Sequence, residues 1–373
     1  MTHQLTLRQK LVSRIHLEGP ISFRDFMQAA LYDPEYGYYN TERLKIGPAG
    51  DYYTSSNVHA AFGAILANYF LEIWTRRPLT LVEIGAGTGQ LALDILTALR
   101  DEHRQLFPDT RYCIVETSPA MRTRQREKLA IFSEQVAWLH MEDLSPMEAI
   151  IFSDEFVDAL PVHRIRFHKS GLEELYITAP ELLASGLDPA GLDSSDKEGR
   201  LVFAWGKPSI ARLTDYIRLM KVTLAEGQII EVNLDAVDWL ERLAGVLESG
   251  FLITIDYGDI AAHLYAPDRP KGTLRCFYKH QLLDSPLERV GDQDMTASVN
   301  FTALMEYGKA AGFETVSYER QSAFLMRNGL IDRISAMHGG SSVEDLKERL
   351  SLKNLFVPGG ASDKFRVLIQ RKR

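Results

Sequence analysis

Apolar residues along the chain follow two periods, and their succession predicts an open α/β sheet. Leu79–Ile84, Tyr112–Glu116, Val136–His140, the run opening at Ala149 and Phe251–Gly258 are short apolar stretches of the kind that form buried strands. Glu314–Arg320 and Phe365–Gln370 read as the last two strands of a seven-stranded set. Between them the period lengthens. Leu7, Leu11 and Ile15 recur at helical spacing, Ser22 can cap a second helix, and Ser118–Pro119 supplies an N-cap and first-turn proline for another. After Pro208, residues Ile210, Leu213, Ile217, Met220 and Leu224 share one helical face, with Gly227 as the stop. Arg164–Phe167 and Leu172–Thr178 alternate as a hairpin would. The polar stretch 185–199 reads as a loop.

This pattern predicts a Rossmann-like α/β fold in four parts. Residues 1–78 form a helical region with a tyrosine-rich loop, 79–162 the first half of the core, 163–250 an inserted α+β arm, and 251–373 the second half. The first strand runs into Gly85, Gly87 and Gly89, a GxGxG string with Gln90 where a dinucleotide site would need its third glycine. Glu83, just before the loop, would repel a pyrophosphate but suits an ammonium group or the loop's own amides. Glu116 ends the second strand, where open α/β sheets hold ribose hydroxyls. Asp143, after the third strand, is placed to accept an adenine amino group. The fourth strand ends in Asp154, Glu155 and Asp158. Crowded carboxylates repel one another unless a cation lies nearby. The alternative for these three is capping of the following helix.

Composition narrows the field. A net charge of −8 without long like-charge blocks argues against nucleic acid as partner. No apolar run approaches the length of a membrane span, Cys113 and Cys276 are the only cysteines, and no metal-ligand spacing occurs. The basic, acid-free opening superficially resembles a mitochondrial presequence, but it runs directly into Gly19–Met27 and reads as the first helix. A bacterial cytoplasm is the expected compartment. Asp51, Tyr53 and Thr54, in the tyrosine-rich loop, are expected to cover the amino-acid end of a nucleoside cofactor, and His280 to join a proton path.

Over nearly its whole length the chain resembles the MidA family (mitochondrial dysfunction protein A). The matching strings are Gly19-Pro-Ile-Ser-Phe23, Tyr36-Gly-Tyr-Tyr39, Gly50-Asp-Tyr-Tyr-Thr-Ser55, Glu83-Ile-Gly-Ala-Gly-Thr-Gly-Gln-Leu91, Val115-Glu-Thr-Ser-Pro119, Asp158-Ala-Leu-Pro161, Asp256-Tyr-Gly258, Gly272-Thr-Leu-Arg275 and Asp294-Met-Thr296. Asp154 stands where the family usually has Asn, and Ser56 where it has Pro. The resemblance implies a class I methyltransferase sheet, S-adenosylmethionine as donor with S-adenosylhomocysteine as product, and methylation of an arginine on a protein. A respiratory-complex subunit is one expected substrate, and the chain would act as a monomer or homodimer. The competing readings are a small-molecule methyltransferase, an assembly factor that binds cofactor without catalysis, and an NAD-dependent enzyme, which Gln90 disfavours.

Overall fold

The computed structural model describes residues 5–41, 59–169, 171–183, 188–189, 200–336, 352 and 364–373. The chain divides into two compact units, one of residues 1–43, 159–238 and 260–303, the other of 44–158, 239–259 and 304–373.

The second unit is built on strands β1 (Leu79–Ile84), β2 (Thr110–Val115), β3 (Val136–Leu139), β4 (Met147–Asp154), β5 (Leu247–Asp259), β6 (Glu314–Arg320) and β7 (Phe365–Lys372). Their spatial order is β6-β7-β5-β4-β1-β2-β3. Neighbours from β3 through β5 are parallel, and β7 is antiparallel to both β5 and β6. The order reverses between β1 and β4, the place where such a sheet opens a crevice beyond its strand ends. The seven predicted strands are those observed, within a few residues at the ends.

Helices α1 (Ala61–Ile73), α2 (Gln90–Glu102) and α3 (Pro119–Lys128) belong to this unit. A Cβ added to Gly63 would lie 2.5 Å from the Asp94 Cβ, so α1 and α2 touch where only hydrogen fits. Phe62, Phe70, Ile95, Leu99, Tyr112, Phe152 and Ile253 are buried between helix and sheet. Ser118 caps α3 as expected, accepting from the Met121 amide at 3.5 Å with Pro119 in the first turn.

The first unit is mainly antiparallel. Strand Gly171–Thr178 pairs with His163–His168 and with Val202–Gly206, so the predicted hairpin forms. A smaller sheet joins Arg275–Tyr278 to Gln281–Leu283 and Asp294–Thr296. Strings noted in the sequence meet here. The Tyr39 hydroxyl donates to the buried Asp294 carboxylate at 2.7 Å, and Glu231 accepts from the Thr273 amide at 2.6 Å and from Arg164 at 3.1 Å. The helix expected to run from Pro208 to Gly227 is shorter, spanning Arg212–Met220. Lys221 adopts a left-handed φ of 53° and stops it before the β-branched pair Val222-Thr223. Ile210 is consequently exposed, and Leu224 is buried outside the helix.

Candidate active site

The glycine string bends β1 into α2 through backbone conformations that side chains resist. Gly85, Gly87 and Gly89 have φ of 73°, 50° and 76°. A Cβ on Gly85 would lie 2.7 Å from the Phe156 ring, and one on Gly89 3.3 Å from the Gln125 side chain. The Gly85 amide donates to the Val115 carbonyl at 3.0 Å, which ties the loop to the end of β2. The loop backbone therefore sits tightly packed at the strand ends, in a turn that larger side chains could not adopt.

Two carboxylates flank that loop. Glu83 is 2% exposed and accepts the Tyr112 hydroxyl at 2.7 Å. Burial, reinforced by the nearby Glu116 charge, raises its pKa from 4.5 to about 7, against the pull of the Tyr112 bond. Glu116 accepts from the Ser118 amide at 2.9 Å and from the Gln125 amide group at 3.1 Å, and burial raises its pKa as well. Two carboxyl groups beside one loop offer acceptors for hydroxyl and ammonium groups and none of the positive charge a pyrophosphate would need, so the residues present fit S-adenosylmethionine.

Gln90 is occupied otherwise. Its side chain donates to Asp94 at 2.9 Å and accepts from Lys128 at 2.9 Å, a polar chain that joins α2 to α3. Burial raises the Asp94 pKa to about 6. Asp143 is exposed, and its carboxylate accepts from the His140 amide at 3.2 Å, capping the turn Met141–Asp143.

The acids after β4 lead into a 3-10 turn and not into an α-helix. Asp154 is the last strand residue, Glu155 takes a left-handed φ of 53°, and Val157–Ala159 form only a 3-10 turn. The cap comes from β5. Asp256 is completely buried, and its Oδ2 accepts from the amides of Phe156, Val157 and Asp158 at 3.2, 2.8 and 3.2 Å. Burial raises the Asp256 pKa to about 8; bonds from backbone amides oppose this, and the Glu155 charge adds to it. The Glu155 amide in turn donates to the Ile255 carbonyl at 3.0 Å. Sequence reasoning missed Asp256 as a site residue, although it opens the Asp256-Tyr-Gly258 string.

His280 lies in the first unit, at the tip of the hairpin Arg275–Leu283, exposed and with φ of 60° next to Lys279 at 48°. That is the geometry of a tight two-residue turn. Asp51, Tyr53 and Thr54 lie outside the described residues.

A mixed sheet of this order, parallel except at β7, with a glycine loop after β1 and a carboxylate after β2, is that of a class I S-adenosylmethionine-dependent methyltransferase. Residues 65–319 match the family described as "Putative S-adenosyl-L-methionine-dependent methyltransferase", and the chain belongs to that family. A Burkholderia thailandensis protein whose crystal structure holds S-adenosyl-homocysteine superposes with a TM-score of 0.85 at 28% identity, over 98% of this chain and 92% of that one. Among curated proteins, the zebrafish (Danio rerio) mitochondrial protein arginine methyltransferase NDUFAF7 is 28% identical, over 89% of this chain and 78% of its own length. The human protein of the same name is 26% identical, over 91% and 77%. The chain is thus an enzyme whose methyl donor is S-adenosylmethionine. Among the described residues no helix is long and apolar enough to cross a membrane.

Proposed function

We propose that the enzyme methylates an arginine side chain of a protein. The observation that carries this reading is the common sheet edge of donor loop and acceptor acids. Ile84 pairs with Ser153, so the glycine loop and the Asp154–Asp158 turn leave adjacent strands at one level, and Phe156 packs on Gly85. An arginine guanidinium stays protonated and offers five donors in a flat fork, which carboxylates can grip. Asp154, Glu155 and Asp158 are assigned to localise that charge, to aim one nitrogen at the methyl group and to help take up its proton. Bound in the glycine loop, S-adenosylmethionine supplies a methyl group on a positively charged sulfur. Alignment of the two groups accounts for several kcal/mol of the barrier, of the order of 7 at least in well-oriented systems.

On the donor side, Glu116 is assigned to the ribose hydroxyls, Glu83 to the cationic end of the ligand or the loop, and Asp143 to the adenine amino group. The relatives named as arginine methyltransferases support the acceptor, and a respiratory-complex subunit is the substrate class this reading assigns. The bacterial origin of the superposed structure supports a bacterial cytoplasm as the compartment.

The test is transfer of a tritiated methyl group to proteins of a cell lysate, with the labelled residue located by mass spectrometry. Label on an arginine that disappears with Glu155→Gln and Asp158→Asn is expected. Label on another residue type, or wild-type rates in both variants, overturns the proposal.

A further inference from the structure

Gln125 is fully buried on α3, a helix otherwise rich in arginine. Its Nε2 donates to the Gly87 carbonyl at 2.8 Å and to Glu116 Oε2 at 3.1 Å, while its Oε1 accepts the Trp138 indole N–H at 3.0 Å. Both amide hydrogens and the carbonyl are engaged. Its Cγ also lies 3.3 Å from the position a Cβ on Gly89 would take. One side chain thereby touches the glycine loop at two places and the carboxylate at the end of β2.

Only a carboxamide satisfies these partners together. A glutamate at 125 would present acceptors to the Gly87 carbonyl and to Glu116, which are themselves acceptors. A methionine would leave a carbonyl, a carboxylate oxygen and an indole N–H without the partner they now have.

We infer that Gln125 is a positioning residue for the donor site: it fixes the spacing between the glycine loop and Glu116 and aims that carboxylate at the ribose hydroxyls of the ligand. The inference rests on the reading of Glu116 as the ribose acceptor. It accounts for a buried polar side chain that no step of methyl transfer requires.

The test is calorimetric titration of the full chain with S-adenosylhomocysteine and with its 2′,3′-dideoxyribose analogue. Two charge-assisted hydrogen bonds predict that the wild type prefers the natural ligand by on the order of a hundredfold. In Gln125→Met that preference is expected to fall to about tenfold or less, with the dideoxy analogue bound nearly as in the wild type. A merely structural role would weaken both ligands alike. Should Gln125→Met fail to fold, Trp138→Phe removes the donor to Oε1 with little change of volume, and its preference is expected to lie between the other two. An unchanged preference in whichever variant folds, or equal weakening of both ligands, overturns the inference. A wild type without preference fails differently, because it removes the role of Glu116 itself and the inference with it.

Discussion

Glu83→Gln separates what the buried carboxylate does for binding from what it does to stability. The side chain is 2% exposed, and its pKa stands at about 7 in place of 4.5. At ~1.4 kcal/mol per pH unit, that displacement corresponds to about 3 kcal/mol. The sign follows from linkage. An acid whose folded pKa is raised lends its stability below the unfolded pKa and loses it as pH rises through the folded one. For Glu83 the window runs from 4.5 to about 7. Glutamine keeps an acceptor for the Tyr112 hydroxyl and cannot ionise. Chemical denaturation of wild type and variant from pH 4 to 8.5 is therefore expected to show the variant gaining up to about 3 kcal/mol relative to wild type across that window, then a constant difference. In the same window the affinity of the wild type for S-adenosylmethionine should rise with pH, because a cationic ligand selects the ionised form, while the variant's affinity stays flat. A stability difference independent of pH, or one that moves the other way, refutes the account of Glu83 as a carboxylate strained by burial.

Three further outcomes follow from the site. Gly85→Ala places a methyl 2.7 Å from the Phe156 ring at a φ of 73°, so thermal unfolding should show a loss of roughly 2 kcal/mol, and calorimetry should detect no binding of S-adenosylhomocysteine. Asp256→Ala strips the acceptor from three amides of the acid turn, which should cost about 3 kcal/mol or more and lower kcat far more than it weakens S-adenosylhomocysteine; an equal effect on both would contradict a role confined to the acceptor side. Glu155→Gly relieves the left-handed backbone at φ 53° and should raise the melting temperature, by about 1 kcal/mol in stability, while methyl transfer falls to background; a variant that loses stability shows the conformation to be unstrained.

The sheet was readable because burial on both faces leaves runs such as Ala149–Phe152 with no polar interruption, and because three alternate glycines have few uses other than a tight turn. The carboxylates at strand ends were readable for the same reason, since a charge that closes an apolar run must lie at the edge. What escaped were contacts whose partners are distant in the chain. Nothing near Asp158 announces that the amides of its turn are held by Asp256, a hundred residues on. Gln125 was overlooked among arginines, although it follows Met121 by one helical turn and both are buried. The early stop at Lys221 was hidden because the apolar spacing continues past it, with Leu224 buried by the surrounding chain and not by the helix. His280 sits in a hairpin turn, a backbone role that its sequence context did not announce.

The Asp256 cap closes loops of 98 to 100 residues, whereas the glycine loop and β2 are joined by contacts some thirty residues apart. Loop closure of that length must be met before the amides of the acid turn find their acceptor, which predicts that the two halves of this sheet edge form at different times. On this expectation the contacts of the glycine loop assemble while β5 is still unfolded, and the acid turn takes its shape last. Substitutions at Asp256 should accordingly speed unfolding and leave the folding rate nearly untouched, so this carboxylate would govern how long the enzyme stays folded.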